Sequence, residues 1–142
     1  MLSKRIAFVA LSIVVLASCG GQVKVYRGTV TQTTTGNGNT ATSTQQGASI
    51  TTVPGVDSTG LVILYGGQAF DCTVSNGALT FAGGQTFSSQ QDNFSNTITL
   101  TTGSGSLNGD QLSITMTLTE SQTQAGQTAT STITFTFSGT RQ

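Results

Sequence analysis

The sequence predicts an all-β, antiparallel domain: an up-and-down β-barrel of about eight strands in hairpins, with a two-sheet β-sandwich as the alternative. Three observations carry this reading. Thr (28), Gly (18), Ser (16) and Gln (13) together fill 75 of 142 positions; β-branched Thr suits a pleated surface, whereas Gly weakens helix interiors. From Leu61 onward, large apolar residues alternate with polar ones, the period of a strand with one buried face. Two-residue turn sequences punctuate that alternation at hairpin spacing.

Residues 29–49, TVTQTTTGNGNTATSTQQGAS, carry no charge and no large apolar side chain after Val30. They form either a solvated tether or a polar hairpin turning within Gly36-Asn37-Gly38-Asn39. The Thr alternation, and the period-two start at Tyr26, Gly28 and Val30, favour the hairpin. A turn at Gly66-Gly67 sets Ile63 against Phe70 and Leu61 against Cys72. A turn at Asn76-Gly77 pairs Val74 with Leu79 and Cys72 with Phe81, leaving Asp71, Thr73 and Ser75 on the other face. A one-residue slip would destroy that sorting. Ile98 and Leu100 lead to a turn at Asn108-Gly109-Asp110, with either three turn residues or two and a bulge near Gly103 or Gly105. A turn at Ala125-Gly126 then pairs Leu118 with Ile133, Met116 with Phe135 and Ile114 with Phe137. Residues 120–131 are polar on both faces and are expected to project beyond the core as a ribbon. Closure into a barrel is favoured because few Lys and a single Pro leave strand edges poorly protected.

The first eighteen residues are a different polymer. Lys4 and Arg5 precede a run from Ile6 to Ala17 that is almost wholly apolar. As a helix these twelve residues would span about 18 Å, short of the roughly 30 Å hydrocarbon layer, so the segment reads as a secretory signal. It ends in Leu16-Ala17-Ser18-Cys19, which resembles the lipobox of bacterial lipoproteins, over residues 1–19 only. The resemblance implies cleavage after Ser18 and acylation of Cys19. Residues 1–18 are then the signal peptide, 19–22 the lipidated N-terminus and a short tether, and 23–142 a single β domain. The implied location is the bacterial cell envelope, with the membrane as partner through the lipid on Cys19. Gly20, where the enterobacterial retention signal has Asp, implies the outer membrane.

Without residues 1–18, Lys24, Arg27 and Arg141 stand against Asp57, Asp71, Asp92, Asp110 and Glu120, a net charge of −2. Three scattered cations make no phosphate-tracking stripe, so no nucleic-acid partner is expected. The chain has no His, which removes Ser-His-Asp and Cys-His catalysis and imidazole metal ligation. Neither an enzyme, a metal site nor a cofactor is expected. Cys72 points inward in the hairpin register and reads as a buried structural thiol. The acids fall on an outer face, in turns or near the ribbon tip, and do not converge on a glycosidase-like pair. Gln90-Gln91-Asp92-Asn93 offers too few carboxylates for calcium. Gly103 to Gly109 lacks the following helix of a phosphate loop. Phe87 and Phe94, in the polar stretch 85–96, are the aromatics least explained by the core: they either cap one end of it or sit on a mobile loop that lines a barrel mouth, as ligand-binding residues. The expected role is therefore structural or interactive at the envelope surface, with an envelope protein, a glycan or a second copy as partner. The alternative is a non-enzymatic barrel that binds an apolar or amphiphilic small molecule.

Overall fold

The computed structural model describes residues 21–57 and 59–142; the expected signal segment, residues 1–18, and Cys19 lie outside these. Nine strands follow one another: β1 (Lys24–Gly36), β2 (Asn39–Pro54), β3 (Gly60–Tyr65), β4 (Gln68–Ser75), β5 (Ala78–Phe81), β6 (Thr86–Gln91), β7 (Phe94–Asn108), β8 (Gln111–Gln124) and β9 (Gln127–Arg141). They form one antiparallel sheet in the order β5-β4-β3-β2-β1-β9-β8-β7-β6, and β5 also pairs with β7. That last pairing, Ala78–Phe81 against Gly103–Ser106, closes the sheet into a ring. The ring bypasses β6, which pairs with the first part of β7.

The registers follow the turn chemistry. Asn37 and Gly38, Asn76 and Gly77, Gly66 and Gly67, and Ala125 and Gly126 all have positive φ, the conformation of tight hairpin turns that match strand twist. Val74 faces Leu79 and Cys72 faces Phe81; Ile63 faces Phe70 and Leu61 faces Cys72. Leu118 faces Ile133, Met116 faces Phe135 and Ile114 faces Phe137. Residues 29–49 are part of a hairpin, with Thr31–Thr44, Thr33–Thr42 and Thr35–Thr40 hydroxyls paired across its outer face at 3.4, 3.0 and 3.1 Å. Such cross-strand pairs hold a polar ribbon together where no apolar face can.

The apolar residues of alternating parity meet in one core. Tyr26, Ile50, Ile63, Phe70, Leu79 and Leu100 are among its fully buried members, and Phe81, Met116, Phe135 and Phe137 fill the space between them. Asn108 pairs with Gln111 across a two-residue turn, so the bulge alternative holds, but at Thr101 rather than near Gly103 or Gly105. The bulge reverses parity: Leu100 faces inward before it, Gly103 and Gly105 after it. A Cβ on Gly103 would lie 2.8 Å from Phe81 Cβ, and one on Gly105 would meet the Ser113 carbonyl. The two glycines thus make room for the β5 side chains that close the ring.

One expectation needs correcting. Residues 85–96 are not an irregular polar loop: Thr86–Gln91 is strand β6, hairpinned to β7 through Asp92-Asn93. Ser88 to Gln91 carry no apolar alternation, so their strand character comes from pairing with β7.

Cys72 is buried. Burial, and then the charge of Asp71, push its thiol up to about 11. The folded chain keeps this proton where the unfolded chain loses it, so the associated stability is full below pH 9 and falls as pH rises towards 11, by on the order of 2–3 kcal/mol. Burial raises the Tyr26 and Tyr65 phenols as well, which adds to the loss above pH 10. Urea unfolding at pH 7, 9 and 10.5 should show the decline, and thiol reagents should modify Cys72 only as the protein unfolds. Equal stability at all three pH values, or rapid labelling of the native protein, would contradict this.

Candidate functional site

Beyond the core the strands keep their parity and change their chemistry. The inner face of β8 runs from Leu118 to Glu120 and Gln122; that of β9 runs back from Ile133 to Ser131 and Ala129. On β7 it runs from Leu100 through Ile98 and Asn96 to Phe94. This end is not a closed ring. β3 reaches only Thr51–Pro54 of β2, so among the described residues the rest of that β2 edge and the far edge of β6 have no strand partner. The result is a curved six-stranded mouth, β2-β1-β9-β8-β7-β6, continuous with the barrel wall.

Glu120 occupies its inner face. The carboxylate accepts hydrogen bonds from Asn96 Nδ2 and Gln122 Nε2, both at 2.9 Å, and from Ser131 Oγ at 3.3 Å. The partly buried carboxylate is therefore held by donors from three strands, β7, β8 and β9. Asn96 Oδ1, on the other side of that amide, is buried with no partner among the described residues. Each partner of the Glu120–Asn96 contact lines a hollow. One, of about 370 Å³, is lined by Thr34, Gly36, Ala41, Glu120, Gln122 and Ala129. The other, of about 380 Å³, is lined by Gly66, Gly67, Phe87, Ser89, Asn96 and Ile98.

Glu120 is thus not a solvated residue at a ribbon tip. Counting in twos from Leu112, Ile114, Met116 and Leu118 reaches Glu120, so the signal for an inward carboxylate was present in the sequence. Phe87 and Phe94 occupy the same face but different depths. Phe87, opposite Ile98, packs on the core and sets its ring edge-on against Phe70, with centroids 4.8 Å apart. Phe94 lies at the rim, 36% exposed, against a hollow it shares with Gln91, Asp92 and Gln124.

No family model, curated protein or solved structure matches the chain.

The seam between β4 and β6 was not legible in the sequence. β5 covers only Cys72–Ser75 of β4, leaving Asp71 without a strand partner on that side among the described residues. The Gln85 side chain takes that place: its Oε1 accepts from the Asp71 backbone N–H at 2.7 Å, and its Nε2 donates to the Asp71 carbonyl at 2.8 Å and the Ala82 carbonyl at 2.9 Å. A side-chain amide thus stands in for the peptide group of an absent strand, beside the Phe70–Phe87 contact.

The depth difference between the two aromatics has a measurable consequence. Phe87→Ala should cost about 3 kcal/mol in urea unfolding, at the lower end for a buried Phe because the ring is only partly covered. Phe94→Ala should cost less than about 1 kcal/mol. Equal losses in the two variants would contradict the placement of Phe94 at the rim.

Proposed function

We propose that the chain is a lipid-anchored protein of the bacterial envelope that acts by contact, through its mouth, with a neutral polyhydroxylated ligand such as a glycan. The observation that carries this reading is the Glu120 carboxylate, oriented by Asn96, Gln122 and Ser131 within a concave face of amides and hydroxyls, with Phe94 exposed at its rim. Sugars are bound by such sets: a carboxylate and amides take up hydroxyl protons and lone pairs, and an aromatic ring covers an apolar C–H face. The attachment rests on Leu16-Ala17-Ser18-Cys19.

Binding is favoured over hydrolysis by the placement of the acids. Glycoside cleavage needs two carboxyl groups about 5–9.5 Å apart. Glu120 stands opposite Ile98, and Asp92 lies in the turn beyond Phe94, four residues along β7, more than about 13 Å away at 3.3 Å per residue. Asp71 is on the outer face, and Asp57 and Asp110 sit in connections at the other end of the barrel. An apolar ligand fits less well, because Phe87 packs on Phe70 and the core side chains fill the barrel interior.

The test is an oligosaccharide array probed with residues 20–142, followed by titration of the best binder. Glu120→Gln and Phe94→Ala should each weaken binding at least about fivefold, with little change in thermal unfolding. Absence of saturable binding to any oligosaccharide, or unchanged affinity in both variants, would refute the reading.

A further inference from the structure

The end of the barrel opposite the mouth carries apolar side chains that cover no core. Val23 and Val25 are 50% and 39% exposed, and Val56, in the β2–β3 connection, is fully exposed. They belong to one region, because Gly21 lies against the Pro54 ring and Val56 follows two residues later. The outer face continues the apolar character across the neighbouring strands. Val53 stands opposite Val62 and Thr51 opposite Leu64, and Val25 opposite Thr51. Across the barrel, the corresponding faces of β8 and β9 present Ser113, Thr115 and Thr117 beside Thr134, Thr136 and Ser138. Aliphatic cover is therefore concentrated around the point where the chain enters the barrel.

We propose that this end rests on a lipid bilayer, with Val23, Val25 and Val56 seated in its interfacial layer and the mouth directed away from it. The inference rests on the anchoring of Cys19 proposed above. Cys19 precedes Gly21 by two residues, which span at most about 7 Å when extended. Acyl chains on Cys19 would therefore enter the membrane beside Pro54, and the three valines would have no room to stay in bulk water. The charges at this end are mixed: Lys24, Arg27 and Arg141 stand with Asp57 and Asp110, and Arg141 and Asp110 pair at 3.1 Å. That near balance suits a zwitterionic headgroup layer better than a strongly anionic one. Ser131, beside Glu120, is ten residues along β9 from Arg141. At about 3.3 Å per residue and a barrel tilt near 40°, the Glu120 face stands about 25 Å above the surface.

The experiment uses the full acylated protein in phosphatidylcholine vesicles, with Val25→Cys, Val56→Cys and Thr130→Cys variants each carrying a polarity-sensitive fluorophore. The native thiol at Cys72 is buried and stays unlabelled. The labels at 25 and 56 should shift to shorter wavelength and be quenched by lipids bearing a headgroup nitroxide, and the label at 130 should do neither. If the protein carries acyl chains and floats with vesicles, yet the labels at 25 and 56 remain as solvent-exposed as that at 130, the orientation is overturned and the anchor stands. If no acyl chain is found and the protein does not float, both readings fall. Equal shielding in vesicle-free protein of dimeric mass would mean that a second copy covers this end, and would also overturn the inference.

Discussion

Replacing Cys19 by Ser should leave the chain uncut, unacylated and absent from the fatty-acid-labelled proteins of the producing cell. On the proposed reading, the Cys19 thiol of Leu16-Ala17-Ser18-Cys19 is the group that takes up the lipid, and an oxygen in its place cannot form the thioether on which later processing depends. The effect should be all or none. Two or more acyl chains, at about 0.8 kcal/mol per buried methylene, give a stable attachment, whereas three exposed valines alone do not. Metabolic labelling with a fatty acid, read beside the apparent size of the chain, checks this. A Cys19→Ser protein cut and released like the wild type, with no label on the wild type, would remove the anchor and with it the orientation on the bilayer.

Gly105→Val should lower stability by about 3 kcal/mol, at the upper end of overpacking costs, because it strikes the pairing that closes the ring. Gly105 faces inward after the Thr101 bulge and stands opposite Leu79. A Cβ there would meet the Ser113 carbonyl and come within 3.3 Å of Leu79 Cδ1. The backbone carbonyl belongs to β8 and cannot swing aside like a side-chain tip. The strain should therefore transfer to the four-residue contact of β5 with β7, the short link of the circuit. Against a typical stability of about 5–15 kcal/mol, that is a large fraction. Urea unfolding and near-ultraviolet dichroism measure it; a loss below about 1 kcal/mol with an unchanged aromatic spectrum would show that β5 tolerates displacement and that closure does not depend on these glycines.

What could be read in advance was what is local. Asn76-Gly77, Gly66-Gly67 and Ala125-Gly126 each fix a hairpin register through backbone conformation, and the flanking apolar residues admit only one parity. What could not be read depended on distant partners. β6 has Ser88, Ser89, Gln90 and Gln91 where an alternating strand would show apolar residues, and becomes a strand only by lying along β7. The closure of β5 on β7 skips that strand, a choice that no turn sequence encodes. Gln85 satisfies Asp71 fourteen residues away through its side chain, and nothing in its neighbours distinguishes it from the other twelve Gln. Of the site, the rim position of Phe94 and the core contact of Phe87 needed the fold to separate them, whereas the inward direction of Glu120 followed from counting in twos.

The polar extension of β1, β2, β8 and β9 has a consequence for how such a protein can change. Its walls are built of Thr, Ser, Gln and Asn in pairs whose only mutual requirement is the two-residue pleat, while the apolar core sits elsewhere along the same strands. Adding two residues to each arm of a hairpin near Asn37-Gly38 or Ala125-Gly126 would lengthen the wall and leave every core contact in place. Adding one to each arm would turn the tip inside out, exchanging the threonine hydroxyls with the inner residues. The depth of the cup can therefore be graded in steps of about 7 Å without renegotiating the packing beneath it, and reach and lining become separable properties of one strand.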